Sequence, residues 1–133
     1  MAYAATITTK TGFRAGHAQL LVTVVETDVT GASNEWSAEV PVWGTLHYHK
    51  CTLTPGDGSG TTVDPIVQEA TGTTSTDTVF ANGTAAAVTR NTPDNGHYYV
   101  ASGVLYGRSA CNGTTGTTGN ITTVLIIEDS ATW

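Results

Sequence analysis

Two histidines have the spacing in this sequence that comes nearest to a chemical site. His47 and His49 stand two positions apart in the stretch WGTLHYHK, residues 43–50. In a β-strand, side chains at positions i and i+2 leave the same face, so both imidazoles could reach one metal ion. The alternative is that they are two polar or packed side chains of an ordinary sheet.

The metal interpretation needs further ligands at suitable positions. The cupin pattern has a glycine well before His-x-His, a glutamate shortly after it, and a later histidine. Here Gly44 lies close to His47, the stretch KCTLTPGDGSG that follows His49 contains no glutamate, and His97 is left as the candidate third ligand. We therefore predict no bound metal and no cofactor, and we interpret the histidines as exposed or packed side chains.

A second oxygen-rich stretch resembles part of a calcium loop. The sequence DGSGTTVD offers Asp57, Ser59 and Thr61 at alternate positions. However, Thr62 stands where an EF-hand loop has its glycine, and Gln68 stands where it has a bidentate glutamate. A flexible surface loop is the interpretation that these departures favour.

The motifs of common enzymes are missing. The sequence contains no G-x-S-x-G, no phosphate-binding Walker loop and no G-x-G-x-x-G. The carboxylate pairs Glu26/Asp28 and Glu128/Asp129 fall at the ends of predicted strands, where we interpret them as solubilising groups. A glycosidase pair facing across a cleft is the alternative. We predict no catalytic residues and no enzymatic activity.

The elements that would position these residues are strands. Apolar residues alternate or run continuously over 18–29, 36–43, 45–53, 96–108 and 120–130, whereas no stretch has the pattern of a long amphipathic helix. About eight strands with frequent turn signals predict a single all-β domain over residues 1–133, an antiparallel β-sandwich or jelly-roll with extended termini.

Details of the pattern give further expectations. The segment 18–29 is predicted to be a central strand, and residues 63–70 form either a short helix or a strand. Pro41 indicates an edge strand or a bulge. In 45–53, strict alternation puts Leu46 on the face opposite to Cys51 and Leu53.

Composition limits the classes of partner. Only 12% of residues are charged, the net charge is −6, and threonine occurs 27 times. Nucleic acid is disfavoured as a partner because the five basic residues are scattered. No apolar run approaches the ~20 residues of a membrane span, and the start lacks the pattern of a signal peptide. We therefore expect a cytoplasmic chain whose two cysteines, Cys51 and Cys111, are reduced and buried. One disulfide between them is the alternative.

Over its full length the sequence resembles the small head cement or decoration proteins of tailed bacteriophages. The shared features are its size, the initial MAYAATITTKTGFRAGH, the all-β body, the low charge and loops such as CNGTTGTTGN. The resemblance implies a virion protein on the capsid exterior, made in the host bacterial cytoplasm. It would bind the major capsid protein, clamp neighbouring subunits, and self-associate into a homo-oligomer. A tail or fibre component, or a soluble β-sandwich or cupin-like binding or metal-dependent protein, is the alternative.

Partner contacts are expected at the termini and in the glycine-rich loops. Residues 1–17 form a candidate N-terminal arm and residues 129–133 a C-terminal tail, in which a tryptophan could anchor on a neighbour. The residues that we predict to contact a partner are Tyr3, Ile7, Phe13, Asp57, Thr114, Thr117 and Trp133.

Overall fold

The described part of the chain is made of β-strands. A computed structural model describes residues 3–14, 17–30, 35–39, 44–54, 56–68, 78–81, 88–91, 98–99 and 104–129. These ranges contain ten strands and no helix: β1 (Ala4–Arg14), β2 (His17–Thr27), β3 (Trp36–Glu39), β4 (Gly44–Thr54), β5 (Val63–Gln68), β6 (Thr78–Ala81), β7 (Val88–Asn91), β8 (Tyr98–Tyr99), β9 (Val104–Cys111) and β10 (Asn120–Asp129). Accordingly, no described helix is long and apolar enough to cross a membrane.

The strands form two antiparallel sheets that pack as a sandwich. The larger sheet has the order β1-β2-β10-β4-β7, and β8 also pairs with β4. The smaller sheet has the order β3-β9-β5-β6. The predicted all-β sandwich is confirmed, as is the central position of β2. Residues 63–68 are a strand rather than a helix, and Pro41 lies outside the described residues.

The segment predicted as an N-terminal arm contains β1. Residues 4–14 pair with β2 over eleven consecutive positions, from Ala4–Thr27 to Arg14–His17, rather than extending away from the sheet. The pairing has a local origin, because only residues 15–16 separate the two strands in the sequence. β1 therefore occupies one edge of the larger sheet.

A β-bulge in β4 overturns the alternation predicted for residues 45–53. The register with β10 shifts between the pairs Ile126–Tyr48 and Ile127–Leu46, so that His47 is the extra residue. One extra residue shifts the alternation by one position, so that two residues predicted on opposite faces lie on the same face when the bulge stands between them. Leu46, Cys51 and Leu53 are therefore all buried in the core, although strict alternation put Leu46 on the opposite face.

Apolar side chains from both sheets fill the space between them in two clusters. The first cluster contains Val22, Val24, Trp36, Ala38, Leu46, Val67, Leu105, Leu125 and Ile127. The second contains Val29, Cys51, Leu53, Val63, Cys111 and Ile121. Both cysteines are buried thiols and no disulfide joins them, as predicted.

Candidate functional site

The glycine- and threonine-rich loops lie together at one end of the sandwich. Three of the connections between the two sheets meet here, namely those from β2 to β3, from β4 to β5 and from β9 to β10. We call the described parts of these connections, residues 28–30, 56–62 and 112–119, the crossover end. Here the backbone N–H of Val29 donates to the Thr115 hydroxyl, and the Val29 carbonyl accepts from the Thr115 N–H, both at 3.1 Å.

Side-chain hydrogen bonds hold the second and third crossovers together. The Asn112 Oδ1 atom accepts from the backbone N–H groups of Thr61 (2.8 Å) and Thr62 (3.1 Å). The Gly60 N–H donates to the Thr114 carbonyl at 2.9 Å. Loops have no strand ladder to satisfy their backbone groups, so short polar side chains do so instead. This explains why the sequence is rich in threonine and asparagine at this point.

Asp57 is the centre of the exposed part of the crossover end. Its Oδ1 accepts from the Thr118 N–H at 3.0 Å, and its Oδ2 accepts from the Thr117 hydroxyl at 2.9 Å. These donors, led by the Thr118 N–H, lower the pKa of Asp57 from 3.8 to about 2. Gly116 has a φ of 66° and a Cβ there would overlap this carboxylate, so glycine is required beside it.

Acidification is expected to loosen the crossover end through Asp57. A carboxyl whose pKa is lowered on folding stabilises the fold above its unfolded pKa, and this contribution is lost as pH falls through the folded value. Protection of the Thr118 amide from hydrogen exchange should therefore decline from about pH 4 towards pH 2. Asp57→Asn should show weakened protection that no longer changes over this range. Equal pH dependence in both proteins would contradict the assignment.

The structure brings together three of the residues predicted to contact a partner. Asp57 and Thr117 are hydrogen-bonded to each other, and Thr114 lies in the same crossover loop. Ile7 of β1 and Tyr3 just before it point inward. Ile7 packs against the first apolar cluster, and the Tyr3 hydroxyl bonds to Glu26.

The remaining predicted contacts fall on residues without a description. The side chain of Phe13 and all of Trp133 lie outside what the structure describes, as does the tail after residue 129. They stay predictions.

Glu26 was interpreted from the sequence as a solubilising group, and this is wrong. Its side chain is fully buried between the sheets. The Tyr3 hydroxyl donates to Oε2 and the Ser109 hydroxyl to Oε1, each at 2.8 Å. The alternation of β2 gives the signal that could have identified it, because Glu26 continues the inward series of Val22 and Val24. A buried carboxylate on such a series needs partners from other strands.

The Glu26 contacts extend into a polar belt that crosses the core. Ser109 Oγ lies 3.9 Å from the Cys51 sulfur, and the Thr123 hydroxyl donates to that sulfur at 3.5 Å. We call Tyr3, Glu26, Ser109, Cys51 and Thr123 the polar belt. Along β2, β9 and β10 its residues fall between members of the first apolar cluster and members of the second. The belt therefore links the two sheets where the apolar core is interrupted.

Burial raises the pKa of the Glu26 carboxyl above its ordinary value of 4.5. The hydrogen bonds from Tyr3 and Ser109 oppose this rise but do not cancel it. The Trp36 indole also opposes it, although its N–H makes no hydrogen bond of ordinary geometry. Burial and the neighbouring carboxyl together raise the pKa of the Tyr3 hydroxyl, which stays a donor.

The histidines are not assembled into a described metal site. The bulge at His47 means that the stretch 47–49 is not an undisturbed strand, which was the basis for placing both imidazoles on one face. The side chains of His47 and His49, and all of His97, lie outside the described residues. Among the residues that are described, no three His, Cys, Asp or Glu side chains group closely enough to hold a metal. The absence of a metal stays a prediction.

The described residues leave two surfaces of the larger sheet uncovered. The first is the outer edge of β1, since β1 pairs with β2 and with no other described strand. The second is the outer face formed by the alternate residues of β1, β2, β10 and β4 that point away from the core. Leu21 on this face is 37% exposed, and Val25, Val124 and Ile126 are half-buried.

Comparison with known proteins gives a structural likeness to a viral chain. No protein-family model matches the chain, and no curated protein matches it. A chain from the X-ray crystal structure of tomato aspermy virus is similar with a TM-score of 0.47 and 12% sequence identity. The alignment covers 92% of this chain and 84% of that chain.

Proposed function

We propose that the protein is a structural component of a virus particle, which binds the outer surface of a tailed-phage capsid shell and clamps neighbouring major capsid subunits. In this role it needs no catalytic residue and no cofactor, and it works as one of many copies, assembled as a homo-oligomer, on the capsid exterior. The resemblance of the whole sequence to phage decoration proteins supplies the class of particle. The observation that carries an assembly role is the outer edge of β1, which no other described strand covers.

β1 has the properties of a strand that accepts a partner. It is eleven residues long, and its register with β2 runs without an irregularity. It contains no proline and no acidic residue, and Lys10 is the only charge before its last residue. Natural edge strands are usually protected by proline, bulges or several charges. An unprotected edge can add a strand from another chain through main-chain hydrogen bonds.

The edge is also held in place before any partner arrives. At its start, the Tyr3 hydroxyl bonds to the buried Glu26, and further along Ile7 packs on the first apolar cluster. A pre-organised edge loses little conformational entropy on binding. Many copies on a shell then add their individual affinities, so modest affinity at each site suffices for stable attachment.

Proline substitutions at Thr8 and Thr9 test this role. In an antiparallel pair, the N–H of one residue bonds to the partner strand and the N–H of the next points away from it. Proline at one of these exposed neighbours therefore breaks the β1–β2 ladder, whereas proline at the other blocks only the free edge. The first variant should lose about 1 kcal/mol or more of unfolding free energy, and the second should stay close to the wild type.

The measurement is binding to shells assembled from the major capsid protein of the same genome, together with the heat resistance of those shells. Thr8→Pro and Thr9→Pro are matched in residue type and exposure, so the more stable of the two identifies the edge-blocking variant. We expect that variant to bind shells at least tenfold more weakly. Failure of the wild type to bind shells would refute the shell-binding role, and full binding by the edge-blocking variant would refute the use of the edge. Deleting residues 1–9 is a poorer test, because it also removes Tyr3 and Ile7.

A further inference from the structure

On the outer face of the larger sheet, two lysines flank a partly exposed apolar centre. We infer that this face is a docking surface for an acidic surface of another protein. This inference goes further than the proposed function. It relies on that function for one point, namely that the partner is a capsid shell. The juxtaposition that carries it is the placement of Lys10 and Lys50 on either side of Leu21, Val124 and Ile126.

The register of the sheet places the apolar residues next to one another. Leu21 of β2 pairs with Ile126 of β10, and Val124 pairs with Thr23 between Leu21 and Val25. Side chains paired across an antiparallel sheet lie about 5 Å apart, and diagonal neighbours lie within reach of long side chains. The four apolar residues therefore form one continuous patch. Threonines of β1, β4 and β10 border most of it, and Tyr48 and Glu128 lie next to Ile126.

The same register places one lysine on each side of this patch. Lys10 of β1 pairs with Leu21, and Lys50 of β4 pairs with Val124. β1 and β4 are separated by β2 and β10, so the two lysines lie about 14 Å apart across the strands at ordinary spacing. Lys10 is exposed and Lys50 is half-buried.

The charge of this face is opposite to that of the protein. The chain carries eleven acidic and five basic residues. Nevertheless, the described outward positions from Thr6 to Lys10, and those that pair with them on β2, β10 and β4, include two lysines and no acid. Glu128 is the acidic residue described on this face, where it is the next outward residue of β10 after Ile126.

The two lysines on either side of the apolar patch indicate the chemistry of the partner. An acidic surface gains attraction from the two lysines, whereas a basic surface would be repelled, and so complementary charge fixes orientation and excludes wrong partners. The neutral threonines around the patch cost less to desolvate than charged groups. A partner with carboxylates on either side of an apolar centre therefore fits this face best.

Two probes test the inference, one of which needs no shell. The first is a soluble peptide of alternating glutamate and valine, added to isotopically labelled protein while backbone amide shifts are followed by NMR. We expect shifts at Leu21, Thr23 and Val124, and weaker binding as salt is raised. A peptide of alternating lysine and valine should produce none of these shifts. The second probe is the capsid shell itself.

Substitutions that change the charge equally provide the control. Lys10→Gln and Lys50→Gln each remove one positive charge from the face, and each should weaken binding of peptide and shell about threefold. Ser37→Glu lowers the net charge by the same amount at an exposed position of β3 in the other sheet, and it should leave binding unchanged.

The outcomes separate the two proposals. Three results would contradict the inference of an acidic partner. They are equal binding of the lysine peptide, amide shifts confined to β1, and concentration-dependent self-association through this face. Absence of any peptide binding would overturn it as well. If the peptide binds the face and shells do not bind, the proposed function fails and the docking surface stands. If shells bind but the lysine variants match Ser37→Glu, the docking surface fails and the proposed function stands.

Discussion

Replacing Glu26 by glutamine is expected to stabilise the protein at neutral pH by about 1 kcal/mol or more, because it removes a buried charge and keeps the shape of the side chain. The amide oxygen can still accept from one of the two hydroxyls, and the amide N–H can donate to the other. The polar belt therefore remains bonded in the variant. What disappears is the free energy needed to keep a carboxylate away from water.

The effect should depend on pH in one direction only. Since burial raises the pKa of Glu26 above 4.5, the folded protein holds its proton to higher pH than the unfolded chain. The wild type then loses stability as pH rises from about 4.5 through the folded pKa. Glutamine does not titrate, so the advantage of Glu26→Gln should be small below about pH 4 and should grow above it.

Urea unfolding of both proteins over this pH range measures the difference. Glu39→Gln is the matched control, because Glu39 is exposed on β3 and its replacement should change unfolding free energy by less than about 0.5 kcal/mol. A Glu26→Gln variant that is less stable than the wild type above pH 4.5 would contradict the assignment. It would show that the carboxylate is better satisfied by its donors than its burial suggests.

Gly107→Ala is expected to lose about 3 kcal/mol of unfolding free energy, because a methyl group at this position would overlap the Trp36 ring. Gly107 pairs directly with Trp36 across β3 and β9. The indole lies over the glycine, is only 3% exposed, and belongs to the first apolar cluster. Neither the ring nor the strand can move without disturbing that cluster, so the overlap is costly.

Gly12→Ala provides the matched control for this prediction. Gly12 also lies in a strand, but a Cβ there would meet no atom within 4 Å. Its replacement should be neutral or slightly stabilising, since alanine restricts the unfolded chain more than glycine does. Urea unfolding followed by tryptophan fluorescence compares the two variants. Equal stability of Gly107→Ala and Gly12→Ala would show that the contact with Trp36 does not constrain the fold.

Local pattern predicted most of the strands correctly. Residues 18–29 are rich in β-branched and apolar side chains, and most of them form β2, which is an interior strand of the larger sheet. Such side chains favour the extended backbone. The loop residues within DGSGTTVD and CNGTTGTTGN were also predicted, although Cys111 and Asn120 at the two ends of the second stretch belong to β9 and β10. Glycine, threonine and asparagine are frequent in loops because they satisfy the loop backbone. Strands and loops of this kind depend on residues that are neighbours in the sequence, and so they can be predicted from the sequence.

The sequence assigned side chains of β4 to the wrong face of the sheet, because one extra residue interrupts the alternation of that strand. Strict alternation separated Leu46 from Cys51, and the bulge at His47 returned both to the core. A bulge is decided by the register that lets two strands cover a common core, and that register involves β10, which follows some seventy positions later in the chain. The histidine pair lost its geometric basis for the same reason.

What the sequence by itself determined is the class of fold, the position of the loops and the low charge. Only the tertiary structure decided that Glu26 is buried, that Asp57 is bonded to Thr117 and Thr118, and that Lys10 and Lys50 share one face. Each of these depends on at least one contact between residues more than twenty positions apart. Composition and period specify which face of a strand is apolar, but the partner of each side chain is fixed only when distant strands choose a common register.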